Sequence, residues 1–225
     1  MSQIIADNRG IIDKYEGDLV MAEFGAPIWY DDHAACCCHA ALKMQERLEE
    51  LREKWRAEGR VELHSRIGIN TGEMISGNLG SRQLFDYTVM GDAVNLASRL
   101  EGANKNYFTT IMIGKETWED IKDQFVTRPL DFIRVKGKVA PIEVFELIAE
   151  RSDGVSPQKY RVLEIFNQGL EMYRKRKFED ANAIFNEGLK IDPSDGPTRI
   201  YEQRCELYAA DPPDENWDGV WTLTE

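Results

Sequence analysis

Apolar and polar positions alternate in short runs along the first two thirds of the chain. Ile11 and Ile12 precede a Glu16-Gly17 turn and Leu19 to Phe24 follow it, which predicts two short strands in a hairpin. Gly17 can take the positive φ that such a turn needs. Asp18 starts the second strand, with its carboxylate at the turn, and Lys14 lies near the end of the first. Residues 1–8 read as the last turns of a helix. Ala26-Pro27 breaks the second strand, and Asp31 or Asp32 can cap the next helix. Over residues 33–56, Ala34, Cys37, Ala41, Met44, Leu48 and Leu51 recur at helical steps, an apolar stripe opposite a charged face.

Residues 61–70 alternate again and predict a strand, with 74–79 as its hairpin partner. A polar loop at 81–85 leads to a short strand at 87–90, then a helix at 92–102 with Asp92 suited to its amino end. The pattern continues with a strand at 110–113, a helix at 116–121 and a strand at 125–129. A final hairpin joins 132–135 to 142–147 around Lys136-Gly137-Lys138. Alternating strands and helices with hairpins between strands predict an α+β sandwich in place of a doubly wound parallel sheet.

Residues 151–159 are a polar linker with Gly154 and Pro157, so residues 1–150 form one domain. Beyond it the spacing of Phe166, Gly169, Leu170, Tyr173, Phe178, Ala181, Phe185 and Pro193 resembles a tetratricopeptide repeat in residues 160–210. A turn falls at Lys175-Arg176-Lys177 and a third helix at 198–209. Roughly three such repeats make a self-standing solenoid, so one repeat plus a helix is expected to dock, on the main domain or on a protein partner. The tail, residues 211–225, carries Trp217 and Trp221, a hydrophobic anchor.

The chain has 225 residues and a net charge of −12, which argues against general nucleic-acid binding. No apolar run approaches the roughly 20 residues of a membrane span. Cys36, Cys37, Cys38 and Cys205 show no metal-ligand spacing and fit reduced thiols, hence a cytoplasmic setting, including the cytoplasmic part of a membrane-anchored parent. His33, His39 and His64 show no ligand spacing either.

Three stretches then stand out: 14–25 around Lys14 and Asp18; Arg66-Ile67-Gly68-Ile69-Asn70-Thr71-Gly72; and 85–100, with Thr88, Asn95 and Arg99. Together with Gly77-Asn78-Leu79-Gly80 they resemble, in family order, the catalytic domain of class III nucleotide cyclases. The resemblance implies a ferredoxin-like cyclase sandwich with sites at a homodimer interface or shared with a complementary cyclase subunit. It implies two divalent ions, Mg²⁺ or Mn²⁺, that bind the triphosphate, with Asp18 on the second metal aspartate. Lys14 and Thr88 fall on the pair that reads the purine, and lysine with threonine points to ATP. Asn95 falls on the asparagine that orients the ribose, Arg99 on the arginine that stabilises the reacting phosphate, and Lys136 on the lysine at the terminal phosphates. The implied reaction converts ATP to cyclic AMP and pyrophosphate in intracellular signalling.

The family domain opens with a strand bearing the first metal aspartate and a helix, and no match to them precedes residue 1. The expectation is therefore an N-terminally incomplete cyclase domain, weak or inactive alone, that lends its purine-reading half to a partner. The competing expectation is a non-catalytic relative that assembles a signalling complex.

Overall fold

The computed structural model describes residues 1–81, 85–134, 140–214 and 216–220. Helix α1 (Ser2–Asp7) leads into the hairpin of β1 (Ile11–Glu16) and β2 (Leu19–Glu23). Gly17 has φ 64°, as the turn between them requires. Asp18 lies in that turn, one residue ahead of β2, and is exposed. Helix α2 (His33–Ala57) begins after Asp32, but the Asp32 carboxylate makes no cap. It pairs with Arg9 at 2.9 Å and accepts from the Cys36 thiol at 3.6 Å, tying α2 to the end of α1.

The strand expected over 61–70 shrinks to β3 (Ile67–Ile69). Val61 and Leu63 are exposed, so their alternation has no buried face to serve. The partner expected for it is also different. Strand β4 (Ile75–Gly80) pairs antiparallel with β5 (Phe85–Met90), a local hairpin, while β3 runs parallel to β6 (Ile111–Gly114). Helix α3 (Asp92–Ala103) connects β5 to β6 through a short 3-10 turn at Asn104–Asn106. Helix α4 (Lys115–Ile121) follows, then β7 (Phe125–Ile133) and β8 (Ile142–Glu150). The two pieces expected at 125–129 and 132–135 join into β7, because Pro129 sits at a register shift where the ladder needs no donor from it.

The sheet has order β3-β6-β8-β7. On one face Ile69, Ile111, Ile113, Phe125, Phe145 and Leu147 pack with Ala34, Cys38 and Ala41 of α2 and Ile121 of α4. Trp118 stacks on Phe145 with ring centroids 4.6 Å apart. On the other face Met112, Leu130, Ile133 and Val144 receive Leu96, Leu100 and Ala103 of α3. This is an α+β sandwich, with the β1–β2 and β4–β5 hairpins set apart from the four-stranded sheet.

Three helices close the chain: α5 (Pro157–Arg174), α6 (Phe178–Ile191) and α7 (Gly196–Ala210). The Ser156 hydroxyl accepts from the Lys159 amide at 3.1 Å and Pro157 starts the first turn, so the expected linker ends three residues early. Phe166, Tyr173, Phe185, Tyr201 and Cys205 form their core, and Gly169 admits the Phe185 ring. Trp217 lies edge-on to Tyr173 at 5.4 Å; Trp221 lies outside the described residues.

The helices dock on their own domain. Arg128 of β7, 1% exposed, donates to Asp195 at 2.6 Å and to Glu146 at 2.5 Å. Lys159 adds a 2.8 Å contact to Asp195, whose side chain also caps α7. Nearby, Arg204 and the Tyr107 hydroxyl both donate to Asp131, and the Tyr201 hydroxyl donates to the Leu130 carbonyl at 2.7 Å. Among the described residues no helix is long and apolar enough to cross a membrane.

Candidate functional site

The β1–β2 ladder carries an irregularity between Ile12 and Lys14, so Asp13 is an extra residue opposite no partner. Strict alternation would set Asp13 and Lys14 on opposite faces; a bulge re-aims a side chain. The Asp13 carboxylate is buried, its side chain 1% exposed. It accepts a 2.6 Å hydrogen bond from the Thr88 hydroxyl of β5, and the Lys14 ammonium lies 3.7 Å from its other oxygen. Two of the candidate residues, far apart in the chain, thus meet on one carboxylate. Lys14 is half-buried and keeps part of its side chain in solvent.

Beside them, Glu23 of β2 is buried and neither of its carboxylate oxygens has a hydrogen-bond partner among the described residues. Burial pushes its carboxyl up from the ordinary value, and the charge of Asp13 adds to that shift.

Thr88 is two residues from the end of β5, and α3 follows directly. The stretch 66–72 is what seats α3. A Cβ at Gly68 would collide with the Ala97 carbonyl and the Glu101 amide, so helix and strand touch backbone to backbone there. A Cβ at Gly72 would come within 2.8 Å of the Ala93 side chain. Asn70 donates to the Ala93 carbonyl at 3.2 Å, and Arg66 pairs with Glu101 at 2.9 Å. With Leu96 and Leu100 buried, Asn95 and Arg99 sit four apart on the opposite, exposed face. Among the described residues no hydrogen bond or ion pair joins Asn95, Arg99 or Asp18 to Lys14 or Thr88. Lys136 lies outside the described residues.

The divalent ions that the resemblance implies need oxygen ligands in a cluster. Among the described residues no group of three or more His, Cys, Asp or Glu side chains could hold a metal ion. Asp18, exposed in its turn, is one carboxylate without such company, so the described residues of this chain do not by themselves make that site. The cysteines are free thiols; burial pushes those of Cys37 and Cys205 up to about 12, which keeps them protonated and unreactive.

Sequence reasoning missed Asp13 and Glu23. An acid beside the lysine was visible, but the bulge that turns it inward leaves no mark in an alternating pattern.

Residues 3–149 match the family model described as the adenylate and guanylate cyclase catalytic domain. An adenylate cyclase of Rhizobium meliloti is 37% identical over 147 residues, 65% of this chain and 22% of that protein. The terminal-differentiation-specific adenylate cyclase of Dictyostelium discoideum is 35% identical over 204 residues, 89% of this chain and 10% of that protein. At 89% of this chain, that second match reaches into the C-terminal helices. This chain therefore spans less than a quarter of the length of either relative. Among solved structures, the adenylyl cyclase CyaB from P. aeruginosa aligns with TM-score 0.62 and 36% identity, covering 68% of this chain and 78% of that one. The guanylyl cyclase Cya2 aligns with TM-score 0.57 and 31% identity over 66% of this chain and 74% of that one.

Proposed function

Because the chain belongs to the adenylate and guanylate cyclase catalytic-domain family, we propose that it supplies the purine-reading half of an adenylate cyclase site. The reaction joins the ribose 3′-oxygen of ATP to the α-phosphorus and breaks the bond to the β-phosphate, releasing pyrophosphate while the hydroxyl proton departs. The meeting of Lys14 and Thr88 on Asp13 carries the proposal. The Lys14 ammonium donates to N1 of adenine, which accepts, whereas N1 of guanine bears a hydrogen. The Thr88 oxygen accepts from the 6-amino group. A site that demands a particular hydrogen-bond pattern discriminates strongly against the base that lacks it. Arg99 steadies charge building on the α-phosphate, and Asn95 holds the ribose. Lys136 is assigned to the terminal phosphates.

The remaining side of the site comes from a second copy or a complementary cyclase subunit, with Asp18 serving across that boundary. When bound, divalent ions supply charge neutralisation at the triphosphate. No step is assigned to them, because the described carboxylates do not assemble their site. That observation also favours a second reading, a non-catalytic relative that assembles a signalling complex. An ATP-containing, reducing compartment, the cytoplasm, suits both the substrate and the free thiols.

The experiment is equilibrium binding of ATP and GTP to the full chain, with pyrophosphate release measured in Mn²⁺. Binding is expected to favour ATP by at least about tenfold, about 1.4 kcal/mol. Lys14→Glu removes that preference, Arg99→Ala weakens ATP, and turnover by the chain alone is slow. Equal affinity for the two nucleotides overturns the adenylate assignment, and absence of nucleotide binding in a dimer decides for the non-catalytic module.

A further inference from the structure

The reading of ATP leaves a question of direction. A threonine hydroxyl has one hydrogen to donate and lone pairs that accept. Facing a purine, it can accept from the 6-amino group of adenine or donate to the 6-oxo group of guanine or hypoxanthine. By itself, threonine reads neither base in preference.

In this chain the hydrogen is already committed. Thr88 donates it to Asp13 at 2.6 Å, a short bond to a carboxylate that has no hydrogen of its own to offer when ionised. The carboxylate is buried, so water does not compete for it. Its second oxygen accepts no hydrogen bond among the described residues, and the Lys14 ammonium, 3.7 Å away, is its nearest cation. Glu23, the other buried acid, has its carboxyl pushed up by burial and by the charge of Asp13.

Resting on the proposed adenylate site, we infer that Asp13 is a positioning residue for base selection: it holds the Thr88 hydrogen, leaving Thr88 an obligate acceptor that admits a 6-amino and repels a 6-oxo purine. Through its second oxygen it also draws the Lys14 ammonium to the same edge of the base. Asp13 itself does not touch the nucleotide. The β1 bulge is what makes this arrangement possible, since it brings two neighbouring side chains, Asp13 and Lys14, within 3.7 Å of one another.

The test compares ATP with inosine triphosphate, which carries a 6-oxo group and an N1 hydrogen, in binding to the full chain. Wild type is expected to prefer ATP at least about tenfold. Asp13→Asn offers Thr88 an amide hydrogen, frees the hydroxyl to turn toward the base, and lowers the ratio by at least about threefold, chiefly by improving inosine triphosphate, while Lys14 at N1 keeps the remaining preference. Asp13→Ala drops it as well. Thr88→Ser, which keeps the hydroxyl, retains the wild-type ratio.

In a Thr88→Val background, Asp13→Asn is expected to change the ratio much less, because its route through the hydroxyl is gone. The ratio is read on folded chains, so partial unfolding of a variant leaves it unmoved. If wild type prefers ATP and Asp13→Asn weakens both nucleotides equally, Asp13 is merely structural and this inference falls while the adenylate reading stands. It falls in the same way if Asp13→Asn acts equally with and without the Thr88 hydroxyl. A wild-type chain that does not distinguish the two nucleotides overturns both.

Discussion

Asp195→Ala tests whether the C-terminal helices belong to the cyclase domain energetically as well as spatially. Asp195 is buried and accepts from Arg128 at 2.6 Å, from Lys159 at 2.8 Å and from both the amide and the hydroxyl of Thr198. Removing one partner of a buried ion pair costs about 3–5 kcal/mol, because the other charge stays buried. Glu146 still holds Arg128, which places the loss at the low end of that range. Loss of the α7 cap adds about 1 kcal/mol. The sum, about 4 kcal/mol, corresponds to a fall in Tm of about 8–16 °C for a chain of this size. Burial alone would raise the Asp195 carboxyl, but Arg128 and then Lys159 hold it well below the usual carboxylate range. A depressed carboxyl contributes stability that is fully present above its unfolded value, about 3.9, and is lost as pH falls below it. The gap between wild type and variant is therefore constant from pH 5.5 to 8 and narrows only below about pH 4. Urea unfolding across that range, followed by circular dichroism, measures it. A loss below about 1 kcal/mol, or helices α5–α7 that unfold separately in the wild type, would refute the claim that they are locked to β7.

Glu23 has the opposite sign. Its raised carboxyl means the folded chain holds that proton to higher pH, so its ionisation costs stability as pH rises. Glu23→Gln is expected to raise Tm at pH 8 and to have no effect near pH 4; a gain that is the same at both would rule out ionisation as its cause. Gly68→Ala forces β3 from α3 and is expected to cost about 1–3 kcal/mol, with loss of ATP binding because Asn95 and Arg99 move with the helix. Gly102→Ala, in the same helix with open space around it, is expected to gain about 0.5–1 kcal/mol; calorimetry on the pair checks both.

The periodicity made the long elements legible. Helix α2 fell within a residue of its expected ends because its stripe repeats over many turns and its buried face is continuous. The three terminal helices were equally plain, and Pro157 marked a start that lay inside the stretch read as a linker. Strand pairing was harder. Residues 61–70 alternate as well as any strand in the chain, yet only 67–69 find a neighbour. Alternation records a two-faced segment and carries no information about which strand lies beside it. The family pattern singled out Lys14 and Thr88 but not Asp13, whose burial against them comes from a bulge and from a contact with a residue 75 positions away.

Two buried aspartates thus do different physical work, and their placement separates the effects. Asp195 closes an ionic cluster against Arg128 of β7, an edge strand of the four-stranded sheet. Asp13 lies in a hairpin outside that sheet, and the side chains it touches, Thr88 and Lys14, are the two proposed to read the base. On the proposed reading, the latch governs how firmly the C-terminal helices are held, and the hairpin governs which base is accepted. Substitutions at sites without shared partners act additively to within a few tenths of a kcal/mol. Asp195→Ala should accordingly lower stability with the ATP preference of the folded chain intact. Asp13→Asn should change the preference by far more than any change in stability predicts.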